Sequence, residues 1–170
     1  RSNRTTDVAI SNDNKYLAIA EIDTSGTIIQ SNIKIISVEK ATTDPTESVE
    51  KTYTCESDKL LVDIKYQNKD KLVCMYTDSI KIIENDEETT LVENKNKKAM
   101  FQTIELNENV VSIEERSSGL FTADSIVNIV NVDNKSTKEY KIESVTKEIY
   151  ACGDIMAIKS DKPFISFSYS

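Results

Sequence analysis

The chain contains no histidine and no tryptophan. Without an imidazole, neither a Ser-His-Asp nor a Cys-His nucleophile can be assembled from it, and a mixed Cys/His zinc site is excluded for the same reason. Glycine and proline are scarce, at 3 and 2 residues. No G-x-S-x-G elbow or Gly-rich phosphate loop occurs, and turns must be made by the abundant Asn and Asp, which tolerate positive φ and bond back to the backbone. The three cysteines, Cys55, Cys74 and Cys152, lie far apart with no C-x-x-C spacing. Their odd number leaves at least one thiol unpaired within the chain, and Cys74 sits in an apolar run where a small buried residue is the usual role. No apolar run approaches the ~20 residues that span a bilayer. Arg1-Ser2-Asn3-Arg4 leads into polar residues rather than an apolar signal core.

Basic charge is also short. Lys and Arg number 21 against 29 Asp and Glu, for a net charge of −8 and a pI near 4.7. A nucleic-acid partner is therefore not expected, because such domains carry a basic stripe. The one basic cluster, Lys95, Asn96, Lys97 and Lys98, reads as a solvated loop or as a contact for an acidic partner. At 170 residues with 38% hydrophobic content the chain can build a core.

What is present is a repeat. Ile33-Lys34-Ile35-Ile36 returns as Ile80-Lys81-Ile82-Ile83 and as Val127-Asn128-Ile129-Val130, each time 47 residues on. A β-branched cluster at such a fixed period marks a repeat array. Around it the chain reads as a four-part cycle. Asp7–Ile10, a turn at 11–15, Tyr16–Ile22, a turn at Asp23-Thr24-Ser25-Gly26 with Gly26 at positive φ, the strand Thr27–Val38, a polar loop Glu39–Ser48 and the strand Val49–Thr54 form the first unit. Three further units follow, so the units run approximately 6–54, 60–92, 101–142 and 147–170. Ser118-Gly119 repeats Ser25-Gly26 at an interval of 93, one short of two periods, which predicts a β-bulge. No segment shows a 3.6-residue period with capping signals, so helix is expected only as short turns. The predicted fold is all-β: a β-propeller-like array of about four four-stranded antiparallel blades, the last incomplete, forming a single propeller fragment over 1–170. A β-sandwich is the alternative, but has no reason to repeat at 47. Some three and a half units fall short of a closed ring, which predicts a piece of a larger propeller or self-association through open blade edges.

Ser11-Asn12-Asp13-Asn14-Lys15-Tyr16-Leu17-Ala18 resembles the S-P-D-G-K-x-L-A turn between the first two strands of many propeller blades, with Asn12 for Pro and Asn14 for Gly. With Asp23-Thr24-Ser25-Gly26, Ile29, Ser31 and the Ile33 cluster, residues 7–38 look like WD-like propeller proteins of Gram-positive bacteria. That resemblance implies an extracytoplasmic, membrane-anchored protein whose anchor lies outside this chain. It carries over no catalytic residue.

Other candidates for chemistry have simpler readings. Glu87-Glu88 and Glu114-Glu115 are adjacent on strands and point to opposite faces, unlike the facing carboxyls of a glycosidase. Asn12-Asp13-Asn14 and Asn131-Val132-Asp133-Asn134 offer oxygens but lack the EF-hand Gly and Glu, and read as Asx turns. Phe164, Phe167 and Tyr169 are core, or an exposed strand awaiting a partner. No metal or cofactor is called for. The expected function is a non-catalytic binding or scaffold module with a protein partner; the alternative is part of an enzyme, for example carbohydrate-active, whose catalytic residues lie outside this chain. The expected interaction face gathers the Ser25-Gly26 and Ser118-Gly119 hairpins, Glu56-Ser57-Asp58 and Lys95, Lys97 and Lys98, since a meander brings these loops to one side.

Overall fold

Period-two alternation and Asx-rich turns fold the chain into short antiparallel strands, each paired with its sequence neighbours within one sheet. The computed structural model describes residues 3–56, 59–67, 71–93, 99–106, 109–117, 123–152, 155–161 and 165–168. The first sheet is a meander of β1 (Asn3–Ile10), β2 (Tyr16–Asp23), β3 (Gln30–Ser37) and β4 (Val49–Thr54), with a short helix α1 (Val38–Thr43) before the last strand. The second holds β5 (Leu61–Gln67), β6 (Lys71–Tyr76), β7 (Ser79–Glu84) and β8 (Glu87–Glu93). The third holds β9 (Ala99–Leu106), β10 (Asn109–Ser117), β11 (Ala123–Asn131) and β12 (Ser136–Ile142). The fourth has three strands, β13 (Thr146–Cys152), β14 (Ile155–Ser160) and β15 (Ile165–Ser168).

The chain is thus all-β, a propeller-like array of antiparallel blades, with the recurring cluster on the third strand of the first three sheets, β3, β7 and β11. Among the described residues no strand crosses into another sheet. This separates the fold from a sandwich, whose Greek-key connections pass between sheets.

The turns follow the side-chain chemistry. Asn14 has φ 58°, so it occupies the left-handed position that the sequence pattern assigns to Gly. Ser11 Oγ accepts from Tyr16 N at 2.9 Å and donates to Asp13 Oδ1 at 2.8 Å. Asn85 and Asp86, at φ 49° and 70°, give two consecutive positive φ values, the pattern of a two-residue type I′ hairpin. Asn131 Oδ1 accepts from the backbone N–H of Asp133 and of Asn134, both at 3.0 Å, as an Asx turn does.

Four local expectations are corrected. The loop Glu39–Ser48 contains α1, because Ser37 Oγ accepts from Lys40 N at 3.3 Å as an N-cap; six residues are too few to show a helical period. The strand expected over Thr27–Val38 starts at Gln30, since Asp23 Oδ1 captures Ser25 N at 2.8 Å and holds the chain in a turn. Gly26 lies outside the left-handed region, and a Cβ there would meet nothing closer than Ile28 O at 3.7 Å. The predicted bulge is also elsewhere: the β2–β3 and β10–β11 ladders run without a shift. Register shifts instead recur on first strands, at Thr5/Asp7, Leu61/Asp63 and Thr146/Glu148, each followed at once by an acid.

The chain forms two compact units, residues 1–90 and 91–170. In the first, Ala18, Ala20 and Ile33 of the first sheet pack on Leu61, Ile64, Leu72, Cys74, Tyr76 and Ile83 of the second. Two alanines on β2 let the sheets approach closely. In the second, Val111, Ile113, Val127 and Ile129 pack with Ile142, Ile149, Met156 and Ile158. Among the described residues no helix is long and apolar enough to cross a membrane.

Candidate functional site

The sheet-on-sheet packing of the first unit is dense where Ala18, Ala20 and Ile33 meet Ile64 and Cys74, and opens toward one edge. There larger side chains replace the alanines. Tyr16 begins β2, Tyr53 lies on β4 opposite Ile33, and Tyr66 lies on β5 opposite Leu72. Together they wall a cleft of about 470 Å³ floored by Ile35, Leu72 and Ile83 and rimmed by Glu50, Lys51, Asn85 and Asp86. This size is ordinary for a small-ligand or side-chain pocket. A second hollow of about 550 Å³ adjoins it through Tyr16 and Glu50 and runs along Lys15, Ser37 and α1.

Each rim charge is held. Asp86, presented by the β7–β8 turn, forms an ion pair with Lys51 and accepts from Tyr53 Oη at 2.8 Å. Lys51 Nζ also stands 5.3 Å from the Tyr53 ring centroid, within cation–π reach. Glu50 pairs with Lys40 Nζ at 3.1 Å. Burial, reinforced by neighbouring Tyr53 and by Cys74, pushes the Tyr66 phenol up to about 12. Tyr66 therefore stays neutral and able to donate across the whole working pH range.

A second polar group lies toward the other edge of the same interface. Lys81, nearly buried within the Ile80–Ile83 run, is bonded to Glu88 and lies 3.6 Å from Glu56, with Nζ 5.4 Å from the Tyr76 ring centroid. Burial lowers the Lys81 pKa, but the two glutamates outweigh it and hold the ammonium charged. Tyr76 Oη lies 3.3 Å from Cys55 Sγ. Burial pushes the Cys55 thiol up, and that of Cys74 further. Both therefore stay as thiols rather than nucleophilic thiolates. Glu88 reaches Lys81 although, like its neighbour Glu87, it is exposed.

Of the residues expected on the interaction face, Ser25 and Gly26 stand in the β2–β3 turn at the other end of the first sheet from the cleft, beside exposed Ile28 and Ile29. Glu56 is drawn into the Lys81 group. Ser118, Gly119, Lys95, Lys97 and Lys98 lie outside the described residues, as do Ser57, Asp58, Phe164 and Tyr169. Sequence reasoning missed the tyrosine cleft, because its three aromatics come from three strands with no common spacing. It also missed Lys81, whose signal was a lysine at the centre of an apolar strand.

A comparison with curated proteins found no match. Among solved structures, the chain is similar to hydrazine synthase of Kuenenia stuttgartiensis, a β-propeller-containing protein, at 8% identity and a TM-score of 0.50 over 92% of this chain. The likeness is one of fold, and the chain spans about half, 55%, of the length of that protein. Kluyveromyces lactis Hsv2 aligns at 12% identity over 98% of this chain and 74% of its own, with a TM-score of 0.33. The profile of DUF5711, a family of unknown function, matches residues 2–169, and the chain belongs to that family.

Proposed function

We propose that the chain is a non-catalytic binding or scaffold module of a β-propeller protein, and that it takes its protein partner in the tyrosine cleft between its first two sheets. The observation that carries this reading is the state of the ionisable groups there: Lys51, Asp86, Glu50 and Lys40 are consumed in pairs and Tyr66 is pushed up to about 12. General acid–base work needs a group poised near the operating pH, whereas neutral tyrosines on an apolar floor provide rigid contact area at little entropic cost. The resemblance of residues 11–18 to the propeller turn supports a WD-like array displayed outside the cytoplasm on an anchor beyond this chain.

Panning a displayed random dodecapeptide library on the immobilised chain tests the reading. Recovered peptides are expected to lose ~10-fold or more in affinity for Tyr53→Ser and Tyr66→Ser, as for other aromatic anchors, while binding Ile28→Ser normally. Peptides indifferent to both tyrosines, or no enrichment at all, would overturn it.

A further inference from the structure

Three phenols reach the cleft from three strands, Tyr16 of β2, Tyr53 of β4 and Tyr66 of β5. Besides burial, the Tyr66 hydroxyl is acted on by Tyr53, Cys74, Tyr16 and Asp13, each of which raises it, so the phenols and the Asp13 carboxylate share one neighbourhood. Charge in the lining favours the same sign. Among its described residues two carboxylates, Glu50 and Asp86, stand against one ammonium, Lys51, in a chain of net charge −8. An acidic or phosphorylated anchor would meet repulsion there, and a purely apolar one would use the floor and leave the carboxylates idle.

Lys51 shows how the cleft treats a cation. Its Nζ stands 5.3 Å from the Tyr53 ring centroid and pairs with Asp86, which also accepts from the Tyr53 hydroxyl at 2.8 Å. One carboxylate thus holds both the ammonium and the ring that the ammonium faces. The β7–β8 turn fixes Asp86 through its backbone, at φ 70°, so the carboxylate is in place before anything binds. The side chains of Lys51 and Asp86 are 39% and 64% exposed, and a pair so open to water contributes little to stability. A second cation can therefore replace Lys51 at small cost. Ile35, Leu72 and Ile83 form an aliphatic floor beneath, which suits the methylene stem of a long basic side chain. A guanidinium fits better than an ammonium, because it is planar, stacks on aromatic faces and takes a carboxylate through two parallel N–H donors.

We propose, with the cleft taken as the binding site, that its anchor is an arginine of the protein partner. The stem lies on Ile35, Leu72 and Ile83, the guanidinium faces the tyrosine rings and pairs with Asp86, and Lys51, which holds that position in the free chain, is released to solvent. Lys51 is then a built-in competitor. Its removal tightens binding, the opposite of what removal of a contact residue does.

The dodecapeptides recovered by panning on the whole chain are the probe, labelled for fluorescence anisotropy at ~0.15 M salt, where the field of the net charge is screened beyond about 8 Å. They are expected to share an arginine at one position. Replacing it by citrulline, which keeps the shape and removes the charge, should weaken binding ~10-fold or more. Lys51→Met should tighten binding of the arginine peptide by about 2- to 5-fold, and Asp86→Asn, a residue that tolerates positive φ, should weaken it. Both positions are open to water, so circular dichroism should remain that of the unaltered chain. Peptides that need Tyr53 and Tyr66 but bind as well with citrulline, or share an apolar residue instead, overturn the arginine and leave the cleft a binding site. Peptides indifferent to both tyrosines overturn the site as well. A Lys51→Met variant that binds no more tightly also overturns the proposal, because Lys51 would then be no competitor.

Discussion

The middle strands of the first and second sheets have the same lengths of apolar pattern and different fates. On β6 and β7, Val73, Met75, Ile80 and Ile82 on one side are 0–1% exposed while Leu72, Cys74 and Ile83 on the other are 0–6% exposed. On β2 and β3 only one side is so enclosed, with Ala18, Ala20 and Ile33 at 0–1% and Leu17, Ile19 and Ile36 partly open. The difference shows that alternation assigns a side chain to a face of its sheet, while the neighbour decides whether that face is dry. It also predicts an uneven distribution of stability, with the second sheet fixed from both sides and the first from one.

The sharpest test exchanges a single residue type at one position of each kind. Ile80→Ala should cost about 2–5 kcal/mol, the range for a fully buried large-to-small change that leaves a cavity. Ile10→Ala should cost less than about 1 kcal/mol, since half of that side chain is already in water. Urea unfolding at matched concentration, with the slope unchanged, reads both; equal losses would mean that the first sheet is as enclosed as the second.

A smaller effect concerns what holds the less enclosed sheet together. Ser11 is buried, and its Oγ ties Asp13 to Tyr16 N across the β1–β2 turn. Ser11→Ala should therefore cost about 1 kcal/mol and speed amide hydrogen exchange in β1 and β2 before β6 and β7. Uniform acceleration in all four strands would show that the two sheets open as one unit.

The smallest effect is confined to acid. Burial raises the Asp7 carboxyl, but its hydrogen bond with the Asp63 side chain and the N–H groups of Ile64 and Val8 outweigh this and hold it below the ordinary carboxylate range. Ile64 N donates to Asp7 Oδ2 at 2.8 Å, so this carboxylate joins the first strand of one sheet to that of the next. A folded-state pKa below the unfolded value contributes stability that is present above the unfolded value of 3.8 and is lost as pH falls through the folded one. Asp7→Asn should remove that dependence and flatten the acid limb of a stability profile taken from neutral pH down to pH ~2. A profile as steep as that of the unaltered chain would mean that other carboxylates carry the acid response.

Much of the fold was legible because it rests on local rules. The 47-residue return of the Ile33 cluster placed third strands on β3, β7 and β11, and Asn14 stood where a positive φ was needed. Two of the errors fell where a local hydrogen bond redirected the chain: Ser37 capping α1, and Asp23 holding Ser25 in a turn. The cleft was not legible at all. Tyr16, Tyr53 and Tyr66 become neighbours only when two sheets pack face to face, and no spacing along the chain records that meeting.

The sequence alone therefore determined the strand period, the turn positions and which side chains share a face, because these follow from backbone sterics and the two-residue alternation of a strand. Only the tertiary structure decided which faces are covered, why Lys81 is buried and charged while Lys34 is partly open, and where the tyrosines leave a space. Those outcomes depend on contacts between residues distant along the chain, whose energies come from excluding water between two surfaces and are written in neither sequence pattern by itself.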